Sequence, residues 1–221
     1  MSGKTIFKVP FHSEEGMKIL SESISQPLII KMFKKQENNS FCGIHSCAML
    51  MSAQVLGKDK TVSEIKNGNC DISDAPYVES NMFDFPETRQ AIKYEVADDV
   101  GLTLDETYEL FKAHGKNIKR YYAADISVEE FRSLAVEALT QENSSHGVIV
   151  NFHESQLQQC PDVEGHFSPL AGYHKERDLF LLLDTWFETT DSWVGTKDLF
   201  DAMNTVDSDS GKSRGLLVLE P

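Results

Sequence analysis

The sequence predicts an α+β fold, a helical N-terminal half packed on a mostly antiparallel sheet. Three observations predict it. Segments with apolar residues at helical spacing occupy most of the chain up to about residue 140. β-rich runs follow, beginning with Gly147–Phe152 (GVIVNF). Two later runs, His166–His174 and Leu179–Asp184, are separated by only a few polar residues and read as a strand pair. Helices first and strands later is the α+β order.

Taken in order, residues 14–35 read as helical stretches broken near Pro27, because proline cannot continue a helix from within. Residues 42–57 (CGIHSCAMLMSAQVLG) carry small and apolar residues at helical spacing and stop at Gly57. Cys42 therefore falls in the first turn of a largely buried helix, where backbone N–H groups are unpaired and the helix dipole is positive. Residues 86–99 and 101–116 read as two further helices, the second starting at Thr103 and stopping at His114-Gly115. Ser127-Val128-Glu129-Glu130 has the form of a capping box before a helix over Phe131–Thr140. Gly215–Leu219 (GLLVL) reads as the last strand.

A length of 221 residues suits one domain with a sizeable core, and a single domain over residues 1–221 is expected. A formal net charge of −14 argues against nucleic acid, which needs clustered Lys and Arg, and against an anionic membrane surface. No apolar run approaches the ~20 residues that span a bilayer. Met1–Pro10 has no secretory apolar core, so a cytoplasmic location is expected, with export still open if a leader has been removed. The four cysteines, Cys42, Cys47, Cys70 and Cys160, are too sparse for a disulfide scaffold. Cys42, His45 and Cys47 sit at helical offsets that point their side chains apart, so no metal site is expected there.

The chemistry rests on four residues. A cysteine reacts as its thiolate, which a helix N-terminus and a nearby histidine both favour. Taken alone, Cys42 reads as a buried core cysteine. His166 opens one strand of the expected hairpin and Asp184 ends the other. Pairing would bring the carboxylate to the imidazole, fixing its tautomer and stabilising the imidazolium. Taken singly, each is an ordinary strand-end polar residue. Gln36, six residues before Cys42, could donate its amide to a developing oxyanion beside the Cys42 backbone N–H. Read alone it is a solvated loop residue.

Longer segments carry a resemblance. Phe11–Ile19 (FHSEEGMKI), Gln36-x5-Cys42-Gly43, Gly165–Asp178 (GHFSPLAGYHKERD) with Asp184 beyond, Trp193-Val194, Ala202–Asp207 (AMNTVD) and Gly211–Gly215 (GKSRG) match the phytochelatin synthase family in order and spacing. Residues 58–140 match only faintly. The resemblance implies a papain-like cysteine peptidase fold and a triad of Cys42, His166 and Asp184. It implies glutathione as substrate, cleaved between its cysteinyl and glycyl residues through a thioester on Cys42. It also implies a substrate site in which Asp207 and Arg214 hold the γ-glutamyl end and Asn151 assists, with Gly165, Phe167 and Arg177 nearby. No cofactor is implied; cadmium or zinc would act as activators by forming metal–glutathione thiolates. A homodimer is implied as well. The chain stops at Pro221, soon after the last matched strand, so the Cys-rich C-terminal domain of plant members is not expected and small single-domain bacterial-type members are the closer comparison.

The sequence departs from the family pattern at three places. The family's arginine and Tyr-Pro-Pro segment after the triad aspartate are replaced by Thr185–Ser192 (TWFETTDS). A family arginine before the histidine segment is replaced by Glu154. The loop Gln158–Glu164 is longer and contains Cys160. The lost cations would weaken binding of an anionic second glutathione, so hydrolysis is expected to outrun transfer. Two alternatives stay open, a hydrolase of glutathione conjugates and a general papain-like cysteine protease.

Overall fold

The computed structural model describes residues 6–67, 71–157 and 164–221. Cys70, Cys160 and most of the lengthened loop lie outside them. The first half runs β1 (Lys8–Pro10), α1 (Glu14–Ser21), β2 (Ile24–Ser25), α2 (Pro27–Met32), α3 (Cys42–Gly57), α4 (Val62–Lys66), α5 (Pro86–Ala91), α6 (Tyr94–Val100) and α7 (Leu104–Ala113). The second runs β3 (Asn117–Tyr122), α8 (Val128–Leu139), β4 (Gly147–His153), β5 (Gly165–His174), β6 (Leu179–Leu182), β7 (Ser192–Gly195), α9 (Thr196–Met203) and β8 (Gly215–Glu220).

The strands form one sheet in the order β1-β7-β6-β5-β4-β8-β3, with β2 pairing β5 off that path. Each described pairing is antiparallel. Alternation along the central strands sorts the core into two layers. Ile149, Phe167, Leu181, Leu217 and Leu219 join α3, α2 and α7 on one face. Val148, Val150, Leu170, Phe180, Leu182, Leu216 and Val218 join α8 and α9 on the other. Both faces of β4, β5 and β6 are therefore apolar, and each aliphatic side chain buried there contributes about 1.5–3 kcal/mol. The helical N-terminal half covers one face as expected. The other is covered by α8 and by α9, a helix the sequence reading did not anticipate.

Helix α3 occupies the predicted residues and lies against β5 and β4. Its end has a cause other than a left-handed cap. A Cβ on Gly57 would lie 2.0 Å from the Asn143 carbonyl oxygen, so only glycine permits that close approach. Pro27 opens α2 rather than merely ending α1, because its missing N–H falls where a helix has no use for one. The capping boxes at Thr103 and Ser127 are both formed. The single helix expected over residues 86–99 is instead α5 and α6, separated at Ile92 and Lys93. Ile92 and Ala97 are both buried. Five residues apart on one helix they would point ~140° apart, and the break lets both face the core. Among the described residues no helix is long and apolar enough to cross a membrane.

Candidate active site

Residues 33–41 lead into α3 as an extended loop held from two sides. Glu79 accepts from the backbone N–H groups of Glu37 and Asn38, at 3.0 and 2.7 Å, and Gln36 donates its backbone N–H to the Thr185 carbonyl at 2.9 Å. The loop delivers Phe41 as the residue before α3, and no side chain caps that helix. Cys42 is thus the first helical residue, 8% exposed, with its backbone N–H free of a side-chain cap. Cys47, one turn deeper, is fully buried, and burial holds its thiol well above the usual range. It is the inert one of the two.

The hairpin of β5 and β6 sets the other half. Its register pairs His174 with Leu179 and Leu170 with Leu182, and Leu183 donates to the Pro169 carbonyl. That register brings Asp184 beside His166, with Asp184 Oδ1 3.0 Å from His166 Nε2. Both side chains are buried. Asp184 Oδ1 also accepts from Trp186 N at 3.0 Å. Lys35 Nζ donates to the Asp184 carbonyl at 2.6 Å and to Asp191 at 2.9 Å, tying down the chain after β6. Nε2 is the ring nitrogen engaged by Asp184, and Cys42 lines the same cleft as His166. Burial works against charge on His166. The Asp184 carboxylate and Cys42 outweigh it, so the imidazole holds its proton well above the ordinary histidine range. Burial likewise pushes Asp184 up, but the imidazolium and the Trp186 N–H leave its carboxyl below its usual value.

Cys42 and His166 open into a cleft of about 260 Å³. Asn151, Gly165, Phe167, Asp207 and Arg214 line it, as do Trp186, Glu164 and Asp209. Arg214 is 2% exposed, donates to the Val206 carbonyl at 2.8 Å, and stands 3.7 Å from Asp207. Its Nε has no hydrogen-bond partner among the described residues, which leaves a buried cationic donor for an anion. Burial draws the guanidinium below its ordinary pKa, against the pull of Asp207, Glu164 and Asp209. A cation and an acid side by side suit a ligand end that carries both an ammonium and a carboxylate.

The family model described as phytochelatin synthase aligns with residues 6–216. The chain belongs to the phytochelatin synthase family. It is 28% identical over 218 residues to glutathione gamma-glutamylcysteinyltransferase 3 of Lotus japonicus, covering 96% of this chain and 42% of that protein. It is 26% identical to glutathione gamma-glutamylcysteinyltransferase 2 of Arabidopsis thaliana, covering 96% and 44%. A match to glutathione gamma-glutamylcysteinyltransferase of Schizosaccharomyces pombe reaches 33% over 122 residues, covering 55% and 28%. The chain spans less than half the length of each of these relatives.

Within this phytochelatin synthase-family chain, three of the residues singled out from the sequence stand elsewhere than expected. Gln36 is buried outside the cleft, and its amide donates to the Asn38 and Asn39 carbonyls at 2.9 and 3.0 Å. Both amide protons are thus spent on its own loop. Arg177 sits in the β5–β6 turn, at the opposite end of β5 from His166, and pairs with Glu15 at 2.8 Å. The structure does not bring it to the cleft. Glu154 is wholly buried beside His166 and Asp184 rather than facing a second substrate. Burial, then the charge of Asp184, push its carboxyl up to about 8. Glu154 is not among the residues that line the cleft.

Two neighbours escaped the sequence reading. Thr185 Oγ1 lies 2.9 Å from Gln36 Oε1, 2.9 Å from the Phe167 carbonyl and 3.2 Å from His166 Nε2. Trp186 stands edge-on to the His166 ring with its Nε1 buried and unpartnered among the described residues. Their adjacency to Asp184 was the only available signal.

Proposed function

We propose that this protein cleaves glutathione at its Cys–Gly bond and passes the γ-glutamylcysteinyl group to water, and to a second glutathione as the lesser acceptor. One observation carries the reading: a cysteine at an uncapped helix start shares a small cleft with a buried His166–Asp184 pair and with Asp207 and Arg214. The Cys42 thiolate would attack the cysteinyl carbonyl carbon, and the oxyanion would take the Cys42 backbone N–H. The C–N bond breaks as His166 gives its proton to the glycine nitrogen, leaving a thioester. Water, deprotonated by His166, then attacks that carbonyl and the C–S bond breaks, restoring the thiolate and releasing γ-glutamylcysteine. Glutathione in place of water gives a phytochelatin. Cadmium or zinc enters this scheme only as part of a metal–thiolate substrate.

Preference for water is supported by the segment after Asp184. Residues 185–190 carry no cation, and Phe187 stands exposed against Trp186 at a ring separation of 4.6 Å. The same aromatic pair favours a second reading, a glutathione conjugate with an apolar group on sulfur. Incubation with glutathione, with and without cadmium or zinc, followed by separation of products, should give glycine and γ-glutamylcysteine as the main pair. Predominant phytochelatin would overturn the preference for water. Faster glycine release from an S-benzyl conjugate than from glutathione would select the second reading.

A further inference from the structure

Strand β4 ends at His153, and the chain turns at once into a single 3-10 turn, Glu154–Leu157. The turn is anchored by a bond from Glu154 N to the Glu164 carbonyl at 2.9 Å, and it carries the Glu154 side chain inward. That side chain is fully buried, and neither carboxyl oxygen has a hydrogen-bond partner among the described residues. A carboxyl oxygen of Glu154, a ring nitrogen of His166 and a carboxylate oxygen of Asp184 lie within 4.8 Å of one another. The charged groups that face Glu154 are His166 from β5, Asp184 from beyond β6, Lys8 from β1 and Lys35 from the loop after α2. Lys35 is already committed to Asp184 and Asp191. Lys8 is itself drawn down by burial and forms no ion pair with Glu154 among the described residues. A fully buried acid with no hydrogen-bond partner among the described residues, next to the His166–Asp184 pair, is unexpected for a residue that only fills space.

We propose that Glu154 is a positioning residue of the catalytic centre, an unpaired carboxyl lodged behind the His166–Asp184 pair whose charge sets how tightly His166 holds its proton. While Glu154 is neutral, the imidazolium answers to one carboxylate, Asp184. Once Glu154 releases its proton to solvent, a second negative charge stands beside the imidazolium and stabilises it. The imidazolium then survives to higher pH, and gives up its proton less readily. The three groups titrate as a set rather than singly. Burial and the nearby Asp184 charge push the Glu154 carboxyl up to about 8.

The inference rests on Cys42 and His166 being the reactive pair, so its test reads the thiol without glutathione. The alkylation rate of the Cys42-bearing peptide by iodoacetamide is followed by mass spectrometry from about pH 5 to about pH 10. The upper step of that profile marks loss of the His166 proton. In Glu154→Gln it should fall by about 0.5–1 pH unit relative to the wild type, because the second charge never forms. Superimposable profiles, or an upward shift, would overturn the proposal. A wild-type measurement stands independently of the variant's folding. With ¹³C at the glutamate side-chain carboxyls, one resonance should titrate near 8 while the exposed ones titrate at about 4–5. The absence of any such resonance above about pH 6 would equally overturn it. If the step shifts but no glycine is released from glutathione, the substrate reading fails and this inference stands.

Discussion

Replacing Cys42 by Ala is expected to abolish glycine release, lowering kcat/KM by at least about four orders of magnitude. The size follows from what is removed. The rest of the cleft can still bind and orient substrate, but no other group can form the acyl intermediate. Cys47 cannot substitute, being buried one turn deeper with its thiol held protonated. Ala suits a helix start as well as Cys does, so stability should change by no more than about 1 kcal/mol. A steady-state assay of released glycine, run beside a thermal melt, separates lost chemistry from lost fold. Residual glycine release by a folded variant within about tenfold of wild type would remove Cys42 from the mechanism.

Replacing Asp184 by Ala should cost about 10³–10⁴-fold in kcat with a smaller change in KM. Asp184 touches the imidazole rather than the substrate, so its loss is felt where the proton moves. It is also a stability residue. Removing one partner of a buried pair leaves the other uncompensated, at about 3–5 kcal/mol. The signs of the shifts set the pH window. Asp184 has a lowered folded pKa, so its contribution is present above the unfolded value of about 3.9 and is lost as pH falls through the folded one. His166 has a raised folded pKa, so its contribution is complete below the unfolded value of about 6.5 and is lost as pH rises through the folded one. The stability deficit of the variant should therefore be greatest between about pH 4 and about pH 6.5. Denaturant melts across that range check it, and an equal deficit at every pH would mean that packing, not the ion pair, had been lost.

Local chemistry explains which parts of this molecule were legible in its sequence. Helix α3, the two capping boxes and the β5–β6 hairpin all follow from spacing and end signals within short windows, and the hairpin register alone brings Asp184 to His166. Strand β7 was not legible, because four residues without clear alternation acquire their state from pairing with β1 and β6. Strand β3 was hidden for a related reason: as an edge strand of half-exposed polar residues, it takes its register from β8. The burial of Glu154 and Gln36 was not legible, because an ionisable or amide side chain in a polar segment carries no local sign of it. Only the closing of β4 against β5, and of the loop before α3 against Thr185, buries them. Arg177 belongs to a segment that matches its family closely, yet sequence proximity to His166 does not translate into spatial proximity along an extended strand.

The central claim is a thioester on Cys42. It is tested most directly by quenching the enzyme in acid during turnover of glutathione and weighing the peptide that bears Cys42. The account predicts the mass of one added γ-glutamylcysteinyl group on that peptide, removed by hydroxylamine and absent from the Cys42→Ala protein. Glycine release at full rate with no adduct on that peptide, or with the adduct on another residue, would contradict it.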